Sequence, residues 1–106
     1  MFNLALEKDE DKLSSQITVA GEIDLFAAPD FKKKLYDAVG EGDSDVILNC
    51  ADLTYIDSTG LGILLGALKR VRQNNHNVYI RDLKDSIRKL FRITGLDKAF
   101  ILEEAQ

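Results

Sequence analysis

What this 106-residue chain has little of rules out several function classes before any motif is read. It has one cysteine, Cys50, so no internal disulfide can form. Cys50 lies in an apolar, strand-like run, which fits a buried reduced thiol better than a nucleophile. There is no long apolar stretch: Ile63 to Leu68 is far too short to cross a bilayer. The start, Met1-Phe2-Asn3-Leu4, lacks the basic end and apolar core of a secretory signal. A cytoplasmic protein with no membrane partner is the expectation. Positive charge is also in deficit. Fourteen Lys and Arg stand against 18 Asp and Glu, giving a net charge of −4 and a pI of about 4.9. Nucleic acid and anionic membrane favour basic surfaces, so neither fits as the main partner. Lys32-Lys33-Lys34 does not reverse this, because it matches the solvated face of a helix. Repeats, low-complexity tracts and Pro/Gly linkers are missing too. One domain over residues 1–106 follows, monomeric when free. It is long enough to bury a core without disulfides or a metal.

The hydropathy pattern supplies the elements. Asn3 to Glu7 reads as a strand and Lys8-Asp9-Glu10-Asp11-Lys12 as a turn. Ser15 to Ile23, with β-branched Ile17, Thr18, Val19 and Ile23, reads as a second strand. So short a link predicts an antiparallel pair. Pro29 suits the first turn of a helix that carries Phe31, Leu35, Ala38 and Val39, and Gly40 and Gly42 stop it. Val46 to Cys50 is a continuous buried strand, followed by a helix from about Ser58 to Gln73. Asn74 to Asn77 is a turn, since Asn tolerates left-handed backbone. Val78 to Arg81 is a fourth strand. Asp85 can cap a helix with Ile87, Leu90 and Phe91 on one face, which Gly95 ends in the left-handed conformation. Phe100 to Leu102 is a short edge strand. The fold class is therefore α/β: a mixed β-sheet with an N-terminal antiparallel hairpin, then parallel βαβαβα, with helices packed on the sheet. Sites in such sheets lie at the carboxyl ends of the strands. Asp24 and the Asp57-Ser58 loop both fall there, which makes them candidate neighbours.

The segment Tyr55-Ile56-Asp57-Ser58-Thr59-Gly60-Leu61-Gly62 holds the chemistry. It puts a hydroxyl where a loop feeds a helix, among free backbone N–H groups and the positive end of the helix dipole. Ser58 is then a cap, a site for anion chemistry, or both. A serine hydrolase needs a base beside its serine. The one histidine, His76, falls roughly 20 Å away along the helix at about 1.5 Å per residue. Ile56 also stands where a nucleophile elbow needs glycine. A phosphate loop would need a Gly-Lys-Ser/Thr ending that is not there. A phospho-accepting aspartate at Asp57 would need acidic metal ligands after the first strand of a βα unit, whereas Asp9-Glu10-Asp11 belongs to a hairpin turn. Gly62 and Gly66 lie one turn apart, where missing side chains let a strand or a partner come close. Each costs about 1 kcal/mol of helix stability relative to Ala.

Ile56-Asp57-Ser58-Thr59-Gly60-Leu61-Gly62 resembles the phosphorylation-site motif of bacterial anti-sigma-factor antagonists, the stand-alone STAS domains. Gly21-Glu22-Ile23-Asp24 resembles their other signature. Val46-Ile47-Leu48-Asn49 with Asp52-Leu53, and Leu90-Phe91-Arg92-Ile93-Thr94-Gly95-Leu96, match as well. The resemblance spans nearly the whole chain in order. It implies a partner switch, not an enzyme. The unphosphorylated protein would bind an anti-sigma factor that is also a serine kinase, which frees the sigma factor. The kinase would phosphorylate Ser58 and end the complex, and a PP2C-type phosphatase would reset it. The alternative is a STAS-like ligand-sensing or scaffold domain without serine phosphorylation. No catalytic residue, cofactor or metal ligand is expected in this chain. The expected partner surface is Glu22, Asp24 and Leu25, with Asp57, Ser58, Thr59 and Leu61. Solvated strand ends for Glu22 and Asp24, and core packing for Leu61, are the plainer readings.

Overall fold

The computed structural model describes residues 2–9 and 14–103. Strand β1 (Phe2–Asp9) pairs antiparallel with β2 (Ser14–Ile23), and the expected turn at Glu10 to Lys12 lies outside the described residues. Lys8 and Asp9, read as part of that turn, belong to β1. Then follow α1 (Ala28–Val39), β3 (Asp45–Asn49), β4 (Leu53–Ile56), α2 (Ser58–Arg72), β5 (Val78–Arg81), α3 (Asp85–Thr94), a short 3-10 turn at Leu96–Lys98, and β6 (Ile101–Glu103). The sheet has six strands in the order β1-β2-β3-β5-β6, and β4 also pairs with β2. Every pairing after the hairpin is parallel, as the alternation of strands and helices predicts.

Strand β4 was not expected. It runs along the same edge of β2 as β3, a few residues further on. Asn49 pairs with Thr18 and Leu53 with Gly21. Between them the chain steps outward: the Gly21 N–H donates to the Asp52 carbonyl, and the Leu53 N–H to that of Cys50. Gly21 has φ +91, a backbone that other residues seldom adopt. The step carries the sheet edge forward and delivers Asp57 beside the end of β2.

One sheet face is dry. Ile17 and Val19, Val46 and Leu48, and Val78 and Ile80 sit in register and are buried. Their neighbours Gln16, Thr18, Ile47, Asn49, Tyr79 and Arg81 are partly or wholly exposed. The helices supply the other half of the core. Phe31, Leu35 and Val39 of α1, Leu61, Leu64, Leu68 and Val71 of α2, and Ile87 and Phe91 of α3 are buried at helical spacing. Fully buried side chains of this size stabilise by about 1.5–3 kcal/mol each relative to exposure. Cys50 is part of this core. Burial first, and the Asp82 carboxylate second, push its thiol up to about 12. It stays a protonated apolar filler, as its sequence context suggests.

Glycine and asparagine close the helices as their backbone freedom predicts, but an expected N-cap differs. Gly40 (φ +63) and Gly95 (φ +78) close α1 and α3, and Asn75 (φ +65) turns the chain after α2. Asp85, however, does not cap α3. It is the first helical residue, and the preceding Lys84 holds the cap position without a side-chain hydrogen bond. An acid in the first turn still suits the dipole.

Candidate functional site

Two loops meet at the carboxyl rim of the sheet. Ile23 pairs with Ile56, and the Asp57 N–H donates to the Ile23 carbonyl at 3.3 Å. Asp24 and Asp57 therefore leave adjacent strands side by side, as expected. Glu22 pairs with Tyr55. Since Ile23 and Ile56 enter the core, Glu22 and Tyr55 project from the opposite sheet face, and both are exposed.

At the second loop the cap is Asp57, not Ser58. Asp57 has extended backbone (φ −104, ψ −175), and its Oδ1 accepts the Gly60 N–H at 3.0 Å. The Leu61 N–H donates to the Asp57 carbonyl at 3.0 Å and closes the first turn. Ser58 and Thr59 are thus the first two helical residues, both exposed. Either Asp or Ser makes a good cap. Asp57 takes the role because the loop is pinned to β2 at its own N–H. The Ser58 hydroxyl forms no hydrogen bond among the described residues.

Gly60 is required by packing. A Cβ there would lie 2.6 Å from Ile56 Cγ1 and 3.0 Å from Ile23 Cγ2, so α2 starts directly on the two strands. Gly66 has a similar reason, since its Cβ would run into the Tyr36 hydroxyl of α1. Tyr36 donates from that hydroxyl to the Ile63 carbonyl at 3.2 Å. Gly62 has no such reason. Nothing lies within 4 Å of a Cβ at that position, and the residue is exposed one turn along from Ser58. Of the two glycines, Gly66 serves helix packing and Gly62 faces outward.

The first loop uses the same acid chemistry. Asp24 Oδ1 accepts the Ala27 N–H at 2.9 Å, and the Ala28 N–H donates to the Asp24 carbonyl at 3.0 Å. This turn thrusts Leu25 and Phe26 into solvent, at 64% and 91% exposure. Leu61 is the misplaced member of the expected surface. It is only 4% exposed and belongs to the core, because the helical repeat groups it with Leu64, Leu68 and Val71. Phe26 and Tyr55 (49% exposed) lie outside the expected partner surface, although Tyr55 opens the motif. Phe26 did leave a signal: it falls off the Phe31–Leu35–Val39 stripe and precedes the helix. His76 stands at the far end of α2 from Ser58. Its Nδ1 lies 3.2 Å from Asp45 Oδ1, which also accepts the Asn77 N–H at 2.9 Å. Lys32, Lys33 and Lys34 are all exposed, as a solvated helix face requires.

A capped loop, an exposed hydroxyl and a bare stretch of helical surface thus share one rim of the sheet. The chain belongs to the STAS domain family, which matches residues 5–105. It is 42% identical over 95 residues to an anti-sigma-B factor antagonist of Staphylococcus epidermidis, covering 90% of this chain and 88% of that protein. Its fold is that of the antagonist SpoIIAA. The unphosphorylated form superposes with a TM-score of 0.80 at 24% identity, over 98% of this chain and 89% of that one. The phosphorylated form, from Bacillus, gives 0.73 at the same identity, over 98% and 92%.

Proposed function

We propose that this protein is a cytoplasmic anti-sigma factor antagonist that acts by partner switching. Its unphosphorylated form binds an anti-sigma factor with serine-kinase activity and so frees the sigma factor. Phosphorylation of Ser58 ends the complex, and a PP2C-type phosphatase restores it. The relatives' names support the antagonist role. The observation that carries the switch is the Ser58 hydroxyl. It is exposed, unbonded among the described residues, and relieved of capping by Asp57.

The physics of the switch is local. A phosphoserine brings about −1.5 to −2 charge at pH 7. At the first position of α2 that charge meets free backbone N–H groups and the positive end of the dipole, so the free protein tolerates it. At a closed interface that already holds Asp57 and Asp24, the same charge is repelled and loses its water. A penalty of about 3 kcal/mol weakens binding more than a hundredfold. No refolding is needed.

The chain supplies the acceptor, not the catalysis. The Ser58 hydroxyl has no hydrogen-bonded base among the described residues, and the only histidine in the sequence is held at Asp45 beyond the other end of α2. ATP, Mg²⁺ and base come from the kinase. Incubation with that kinase and ATP should add one phosphate to Ser58 by mass, and Ser58→Ala should abolish it. With Mg-ATP alone the mass should not change. Failure of the kinase to modify Ser58 would leave the ligand-sensing or scaffold role instead.

A further inference from the structure

Beside the rim lies an open groove of about 670 Å³, lined by Phe2, Asp24, Phe26, Pro29, Asp30 and Lys34 among others. Its walls are aromatic. Phe2 is fixed edge-on against Phe31 of α1, with ring centroids 5.5 Å apart. Phe26 stands almost wholly in solvent at the other side. An exposed phenyl ring contributes little burial to the free fold and leaves its face open to a ligand.

The charges in the groove select the guest. Asp24 spends one carboxylate oxygen on the Ala27 N–H, and the Asp30 side chain makes no hydrogen bond or ion pair among the described residues. Against these two acids stands Lys34, whose Nζ sits 5.3 Å from the centre of the Phe2 ring. The groove therefore carries a net negative charge between two aromatic surfaces. An anion is disfavoured. A flat cation that stacks on a ring while pairing with a carboxylate fits, and the guanidinium does this with a planar face and a two-pronged hydrogen-bonding edge that an ammonium lacks.

We propose that this groove receives an arginine side chain of the same anti-sigma factor kinase that docks at Ser58. Phe26 is the stacking wall and Asp30, with Asp24, the ion-pair partner. The proposal rests on the partner-switching reading, because Asp24 belongs both to the groove and to the rim beside Asp57, making the two surfaces continuous. Phosphorylation then acts on one half of the interface, while the groove sets affinity and partner choice in the other.

The test is binding of the 106-residue protein to the kinase by calorimetry, over a salt series, with Phe26→Ala, Asp30→Asn and the double variant, each checked by thermal melting. Phe26→Ala should weaken binding tenfold or more. Asp30→Asn should weaken it three- to tenfold and flatten the salt dependence. The double variant should lose less than the two effects multiplied, because ring and carboxylate hold one guest. Melting temperatures should not move. Wild-type binding by both single variants overturns the proposal, and if Ser58→Asp still abolishes binding, the switch stands without the groove. Conversely, Ser58→Asp binding like wild type while Phe26→Ala fails leaves the groove standing and removes the switch. Loss with Phe26→Ala but an unaltered Asp30→Asn salt series overturns the arginine. Sedimentation of the wild type with phosphatidylserine vesicles, lost in Phe26→Ala, would reassign the tip to a membrane and overturn the proposal too.

Discussion

The two loops that open α1 and α2 solve the same problem in the same way and present opposite surfaces. Each leaves the carboxyl end of a strand, and the two strands pair with each other. Each begins with an aspartate whose Oδ1 accepts the N–H three residues on, at 2.9 Å for Asp24 and 3.0 Å for Asp57. In the second loop the helix starts at once, because Gly60 lets it settle on Ile23 and Ile56. What lies outward is then short and polar: Ser58, Thr59 and the bare backbone of Gly62. In the first loop a full turn intervenes before Ala28, and Pro29 follows it. What lies outward is Leu25 and Phe26. The same aspartate turn thus caps α2 directly but closes ahead of α1, whose cap position falls to Ala27 without a side-chain hydrogen bond. The distance between turn and helix makes the difference, leaving a polar surface at one loop and an apolar one at the other.

Charge separates the loops most sharply. Ser58→Asp should lower affinity for the kinase more than a hundredfold, about 3 kcal/mol, while leaving the melting temperature unchanged. The same charge at Leu25→Asp should cost on the order of tenfold, since a peripheral charge changes association more than it blocks contact. Equal losses would mean that the two loops are one undivided interface centre.

Packing comes next. Gly60→Ala should destabilise the fold by about 1–3 kcal/mol in urea titrations, because the added methyl overlaps Ile56. A neutral result would show that α2 can slide off β4 freely, and the distinction between the loops would fail. Removing the two aspartates is a finer probe. Asp57→Ala should cost about 1 kcal/mol of stability, and Asp24→Ala about half of that. The Asp24 turn lies ahead of α1 and caps no helix, so less is lost. Amide exchange at Gly60 and Ala27 would report each loop separately. The smallest effect has a distinctive sign. Gly62→Ala should stabilise the free protein by up to about 1 kcal/mol, since nothing obstructs the methyl. The same variant should bind the kinase less well if α2 is approached closely there. Tighter binding would show that Gly62 lies off the interface.

Local chemistry made much of this legible from sequence. The β-branched run at Ile17 to Ile23, the stripe from Leu61 to Val71, and Gly95 each specify their element through contacts a few residues apart. The parallel order follows from strands alternating with helices. Asp24 and Ser58 could be placed at one rim because every such strand ends there. The apolar setting of Cys50 was enough to bury it.

Long-range pairing decided the rest. Leu53–Ile56 shows a buried–exposed–exposed–buried pattern, not a strand's alternation. It becomes β4 only by pairing with Gly21 to Ile23, some thirty residues earlier in the chain. That pairing fixes the Asp57 N–H on Ile23, which makes Asp57 the cap and leaves the Ser58 hydroxyl open. It also sets the rotation of α2, so that Leu61 turns inward and Gly62 outward. Phe26 emerges because the Asp24 turn closes before α1 can pack. Periodicity along the chain tells which residues share a face. Which way that face points depends on strands that meet only once the sheet has formed.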